Sequence, residues 1–133
     1  MNLIIRIKFI TFFIFVAFHA FANNGLKTLP LSKSSILKGI VTHVRDGDTI
    51  IIGAIPIRLA ALNCPEKDTN KGKYATEIAK QFLGEMANCE LTGAKTYDRF
   101  VGYCSINGYD FGQFMIQNSS CKVWEKFDIW NKY

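Results

Sequence analysis

The stretch Val44-Arg45-Asp46-Gly47-Asp48-Thr49-Ile50-Ile51-Ile52-Gly53-Ala54-Ile55-Pro56-Ile57-Arg58-Leu59 decides the fold. Two apolar runs flank Gly53-Ala54, and glycine at the first central position suits a two-residue type II′ hairpin turn. With that turn Ile50 faces Ile57 and Ile52 faces Ile55 on one apolar side. Thr49 faces Arg58 on the opposite side, so Arg58 is expected to point away from the core beside the acidic start of its partner strand. Asp46-Gly47 marks a bend or bulge between this hairpin and an earlier strand over Ile36–Arg45. A DGD sequence by itself is often only a turn.

Outward from the hairpin, Lys71 to Met86 carries Ala75, Ile78, Ala79, Phe82, Leu83 and Met86 at helical spacing. Lys73, Glu77, Lys80 and Glu85 occupy the other faces, and Gly84 weakens the last turn. Cys89–Thr92 and Phe100–Ile106 read as two further strands, Asn107-Gly108 as a turn, and Asp110–Gln117 as a short helix that Asp110 caps. Three strands, a helix and two strands is the order of an OB-fold. The expected class is therefore mainly β with helices (α+β): a five-stranded Greek-key barrel with a helix between strands 3 and 4 and a short C-terminal helix.

The N-terminus reads differently. Arg6 and Lys8 flank an apolar run from Phe9 to Ala22, and Ala20-Phe21-Ala22 has the small-x-small pattern of a signal-peptide cut. The run is shorter than the roughly 20 residues needed to cross a bilayer, and an uncleaved anchor is the rival reading. Residues 1–22 are thus expected to be a signal peptide cut after Ala22, 23–35 a flexible lead-in, and 36–133 the folded domain. Export would be to the periplasm or the medium, with no stable membrane insertion after cleavage. Loss of Arg6 and Lys8 leaves 14 basic residues against 11 acids, a surplus of +3 that permits a polyanionic substrate without announcing one.

Export also governs the four cysteines. Cys64, Cys89, Cys104 and Cys121 allow three connectivities, and the lack of a CxxC pair argues against structural zinc. Placing Cys89 opposite Cys104 in the second strand pair puts Leu91, Phe100, Gly102 and Ile106 on one inward parity and sends Arg99 outward. Cys89–Cys104 is favoured on that ground, and Cys64–Cys121 follows by elimination. Four buried thiols are the alternative.

Carboxylates to hold a hard cation, a spare glutamate to activate water and two guanidiniums to clamp phosphate are what phosphodiester hydrolysis requires. Asp46, Asp48, Glu66, Arg58 and Arg99 supply those types. The run Val44–Thr49, the Ile57-Arg58-Leu59 strand, Pro65-Glu66 and Tyr97-Asp98-Arg99-Phe100-Val101-Gly102 together resemble the staphylococcal nuclease (thermonuclease) family in order and spacing, over about Leu37–Val123. The resemblance implies a nuclease that uses one Ca²⁺ to cleave DNA and/or RNA endonucleolytically, leaving 3′-phosphates. It implies Asp48 and Asn63 as side-chain ligands of the ion and Cys64 as a backbone-carbonyl ligand. Glu66 would orient or deprotonate the water, and Arg58 and Arg99 would hold the phosphate. Tyr97 would line the nucleotide pocket, with Asp46 and Thr49 standing behind the ligands. A monomer is expected.

Three positions depart from that family's pattern. Asn63 stands where a second carboxylate ligand usually sits, so cation affinity should fall. Asp98 stands where glycine is usual, and its carboxylate would either pair with Arg99 or add negative charge near the phosphate. No convincing copy of the family's final helix follows; Trp124, Phe127, Trp130 and Tyr133 either cap the barrel or stack on bases. Asn63 sustains a second reading, a catalytically weakened or silent OB-type module binding oligonucleotide or oligosaccharide. A disulfide-braced structural protein of the envelope is the third.

Overall fold

The computed structural model describes residues 34–133, so the expected signal peptide and nearly all of the lead-in lie outside the described residues. The chain runs β1 (Ser35–Asp46), β2 (Thr49–Ile52), β3 (Ile55–Leu59), β4 (Leu62–Asn63), α1 (Asn70–Lys80), β5 (Met86–Thr96), β6 (Arg99–Ile106), β7 (Tyr109–Asp110), α2 (Phe111–Asn118) and β8 (Lys122–Val123), then a 3₁₀ turn over Glu125–Phe127. It is an α+β protein dominated by sheet. Among the described residues no helix is long and apolar enough to cross a membrane.

The central hairpin folds as its turn chemistry demands. Gly53 takes φ +62, and Thr49↔Arg58, Ile50↔Ile57 and Ile52↔Ile55 are the observed pairs. Ile50, Ile52 and Ile57 are fully buried, whereas Ile55, at the turn, is 36% exposed. The twelve-residue β1 serves two partners: its first half pairs with β5 and its second half with β2, with register shifts after Val41 and Val44. Those shifts let one strand bend between two neighbours. The sheet order is β3-β2-β1-β5-β6-β7, and β3 also pairs in parallel with β6 through Ile57↔Phe100, Arg58↔Val101 and Leu59↔Gly102.

Cys89 stands opposite Cys104 and is disulfide-bonded to it, and Cys64 is bonded to Cys121. The inner face of the sheet buries Val41, Val44, Ile50, Ile57, Leu59 and Ile106, over which α1 lays Ala75 and Ala79 and α2 lays Phe111 and Met115. Each large apolar side chain so enclosed contributes roughly 1.5–3 kcal/mol. Phe82 meets Phe111 and Phe114 edge to face, with centroids 5.2 and 4.9 Å away.

Two expectations need correction. The first helix stops at Lys80 instead of reaching Met86, because Gly84 adopts φ +83 and its N–H donates to Val41 O, turning the chain into β5. Leu83 and Met86, counted as helix-face residues, are 43% and 55% exposed. Arg58 points away from the core beside Asp48, as its register requires, yet its side chain is only 14% exposed and Thr49 is fully buried, because both are tied into the polar groups of Asp48 and Arg99. Finally, Asp98 pairs with Arg45, not Arg99, through two hydrogen bonds of 3.2 and 2.9 Å.

The outer face of β6 is covered by the chain after α2. Trp130 stacks on Tyr103 at 4.9 Å, and the Tyr103 hydroxyl donates to Asp128 at 2.8 Å. The Tyr133 hydroxyl donates to Asp110 at 2.9 Å, tying this segment to the α2 cap. Trp130 and Tyr133 therefore cap the sheet with Ala60, Ala61 and Tyr103 beneath them. Trp124 and Phe127 stay 43% and 45% exposed, packed edge to face on each other.

Candidate functional site

The Asp46-Gly47-Asp48 turn joins β1 to β2 and is tight because the Asp48 N–H donates to Asp46 Oδ1 at 3.1 Å. Gly47 is required there: a Cβ would stand 2.9 Å from the Ala75 Cβ and 3.0 Å from the Cys64 Sγ. The turn thus lies directly against α1 and the Cys64–Cys121 bond. Its backbone also accepts from β3, through Leu59 N–H to Asp48 O at 2.8 Å.

Asp48 is the hub of the polar groups. Arg58 forms an ion pair with its Oδ2 at 3.2 Å and donates through its other terminal nitrogen to Leu59 O at 2.8 Å. The Thr49 hydroxyl donates to Asp48 Oδ1 at 3.1 Å and accepts from Arg99 at 3.0 Å. Both arginines are therefore anchored to one carboxylate, Arg58 directly and Arg99 through a buried hydroxyl. Each guanidinium has five N–H groups, so donors are left over for a ligand.

Burial shapes the charges. Desolvation raises the Asp48 carboxyl to about 6, with Asp46 adding to the rise and Arg58 opposing it. Arg58 is lowered, first by burial and then, after the opposing pull of Asp48, by the nearby Arg99 cation. Asp98 is lowered chiefly by its hydrogen bonds from Arg45, which neutralise it beside the mouth of the site.

Across from the turn, Asn63 ends β4, and Cys64 and Glu66 follow it on a short loop. Three contacts hold Glu66 by its backbone: Thr69 donates to its carbonyl through N–H at 2.9 Å and through Oγ1 at 2.7 Å, and Gly72 lets the first turn of α1 sit against it. A Cβ on Gly72 would overlap the Glu66 carbonyl oxygen and stand 2.8 Å from that of Pro65. Thr69 also caps α1 by accepting from Gly72 N–H at 3.0 Å. Thr69 carried a readable signal, a threonine just ahead of a helix. Gly72 carried none.

One cleft of about 500 Å³ collects these groups: Asp46, Asp48, Arg58, Asn63, Cys64, Glu66 and Arg99 all border it, with Trp124 at its edge. Tyr97 does not. It sits at the β5–β6 tip with φ +56 and is 95% exposed, its ring 6.0 Å from the Arg99 guanidinium. Among the described residues no three His, Cys, Asp or Glu side chains cluster as a metal site. The groups bordering the cleft that could ligate a cation are oxygens: the Asp46, Asp48, Glu66 and Asp68 carboxylates, the Asn63 amide and backbone carbonyls. Such an oxygen set suits a hard cation, while Arg45, Arg58, Lys67 and Arg99 on the same rim offset its charge.

None of the known family models matches the chain. Two curated proteins align with it, each named "Uncharacterized endonuclease", one from Escherichia coli O157:H7 and one from Escherichia coli. Each is 29% identical over 98 residues, an alignment covering 69% of this chain and 64% of the relative. The chain thus spans a little under two thirds of the length of these curated relatives.

Proposed function

We propose that this chain is an exported, metal-dependent nuclease of the staphylococcal nuclease type, hydrolysing phosphodiester bonds of DNA and/or RNA on an OB-type barrel. The observation that carries this is the convergence of Arg58, Arg99, Asp48 and Glu66 on one cleft. The parallel β3–β6 pairing supports the barrel, because it joins the first edge of the sheet back to its far side. Similarity to proteins named endonucleases supports the substrate class. Two disulfides suit an oxidising compartment outside the cytoplasm.

In this reading Asp48, Asn63 and the Cys64 carbonyl would hold one Ca²⁺, which would supply positive charge near the phosphate. Glu66 accepts a proton from the attacking water as the water oxygen adds to phosphorus. The bond to the 5′ oxygen breaks, that oxygen takes a proton from solvent, and a 3′-phosphate remains. Arg58 and Arg99 offer N–H groups to the equatorial oxygens, where charge accumulates. Asp48 keeps the two guanidiniums from drifting apart under their mutual repulsion.

The test is cleavage of single- and double-stranded DNA and RNA at millimolar Ca²⁺ and in chelator, with product ends identified. Calcium-dependent cleavage leaving 3′-phosphates is expected, reduced about 10²–10³-fold in Arg99→Ala. Absence of cleavage on every substrate would leave the second reading, a silent oligonucleotide- or oligosaccharide-binding module, which the lost carboxylate at Asn63 favours.

A further inference from the structure

We propose that a second groove, on the other side of Glu66 from the cleft, is a phosphate-backbone subsite that carries a single nucleic-acid strand onward, with Lys71 and Lys122 as its cations. The proposal rests on the nucleic-acid reading above and adds a path to it. The groove is open, about 640 Å³, and runs between the Asn63–Glu66 loop and the Ser119–Lys122 segment. It shares Asn63, Cys64, Pro65 and Glu66 with the cleft, so the two are continuous across one loop. Two lysines border it against one carboxylate, Glu66, which leaves it net positive.

Its walls are fixed. The Cys64–Cys121 disulfide joins them, and β4 pairs with β8 so that Asn63 stands opposite Lys122. Directly opposed residues on antiparallel strands project to the same face. Lys122 therefore stands beside Asn63, a neutral amide that cannot offset its charge. An acid there would have paired with Lys122; with Asn63 the lysine charge is left for a ligand.

Lys71 adds an independent sign. It lies in the first turn of α1, which has no acidic residue, and Lys73 follows in the same turn. Cations at the positive end of a helix oppose its dipole, whereas an anion bound there is favoured. Of the two, Lys71 borders the groove, and an anion passing the helix start would offset its charge. The open, polar form of the groove suits an extended backbone better than an enclosed small molecule.

Binding of a fluorescein-labelled single-stranded DNA 12-mer to the full chain, in chelator to prevent cleavage, tests the path through its salt dependence. Each lost phosphate contact reduces the slope of log affinity against log salt by about 0.7 on single strands. Lys71→Gln with Lys122→Gln should make the slope shallower by about 1.4, each single change by about half of that. Lys71→Arg with Lys122→Arg should restore it, which separates lost charge from a folding defect. Lys38→Gln, an exposed lysine on β1 bordering neither groove nor cleft, should leave the slope alone. An unchanged slope in the double variant, or an equal change in Lys38→Gln, overturns the subsite while leaving the nuclease reading intact. Failure of the unmodified chain to bind at any salt overturns both.

Discussion

Replacing Gly72 with alanine should damage this protein, although glycine to alanine inside a helix ordinarily stabilises by about 0.5–1 kcal/mol. The reason is contact. The added methyl would overlap the Glu66 carbonyl oxygen and crowd the Pro65 carbonyl at 2.8 Å, and both obstacles are backbone that no rotamer change removes. The start of α1 must then retreat by about an ångström, an overpacking cost of roughly 1–3 kcal/mol. Retreat also stretches the two Thr69 hydrogen bonds to Glu66 O, worth about 1 kcal/mol each. After the propensity gain, a net loss of about 2 kcal/mol remains, which lowers the melting temperature of a domain this size by roughly 8–16 °C. If Glu66 serves the water, the same shift should reduce kcat on the order of 10²-fold, the usual result of displacing a reacting group by about an ångström. Thermal melts of Gly72→Ala beside Gly53→Ala make the comparison, since Gly53 meets nothing within 4 Å and only its φ of +62 opposes a side chain. A Gly72→Ala variant that melts at or above the unmodified protein would refute the reasoning.

Asn63→Asp should raise Ca²⁺ affinity about tenfold by calorimetry, the order expected for one added charge near a divalent ion in a solvated cleft, less whatever Lys122 absorbs by pairing with it; unchanged affinity in a folded variant would count against Asn63 as a ligand. Asp48, raised to about 6 by burial, takes up its proton in the folded state before the unfolded one, so its penalty is present above about pH 6 and relieved as pH falls toward 4. Metal-free protein should therefore gain stability relative to Asp48→Asn by up to about 3 kcal/mol between pH 7 and pH 4, read from urea unfolding, and a difference independent of pH would refute the assignment. Cys64→Ser with Cys121→Ser opens a loop spanning 57 residues, and loop-closure entropy puts the loss at about 4 kcal/mol. Denaturant unfolding should register that loss together with reduced cleavage, because the same bond holds the loop carrying Asn63 and Glu66.

Local chemistry was legible where it was strong. Gly53-Ala54 set the β2–β3 register, and the parity of Cys89 and Cys104 set that of β5–β6 as far as Leu91↔Gly102, beyond which a register shift re-pairs Phe100 with Lys95 and Arg99 with Thr96. The helix end was misread because Leu83 and Met86 are apolar and at helical spacing, while the decisive event is Gly84 handing its N–H to distant Val41. Long-range cover was illegible for a similar reason. Nothing near Tyr103 announces that it is buried by Trp130 and Tyr133, which come from a segment with no regular periodicity. The acids and arginines of the cleft were readable as residue types, and the structure gathers them in one place. Their wiring was not readable: Thr49 linking Arg99 to Asp48, Arg45 occupying Asp98, and Lys122 facing Asn63 all depend on contacts 50 or more residues apart.

The hold on Glu66 by Thr69 and the Gly72 cradle has one further effect. Many hydrolases loosen around the reacting groups well before the molecule as a whole gives way, so they fall silent while still folded. Here the Glu66 backbone is clamped to the start of a helix whose inner face is part of the main core, and it cannot come adrift unless that helix does. If Glu66 serves the water, heat inactivation and global melting should coincide.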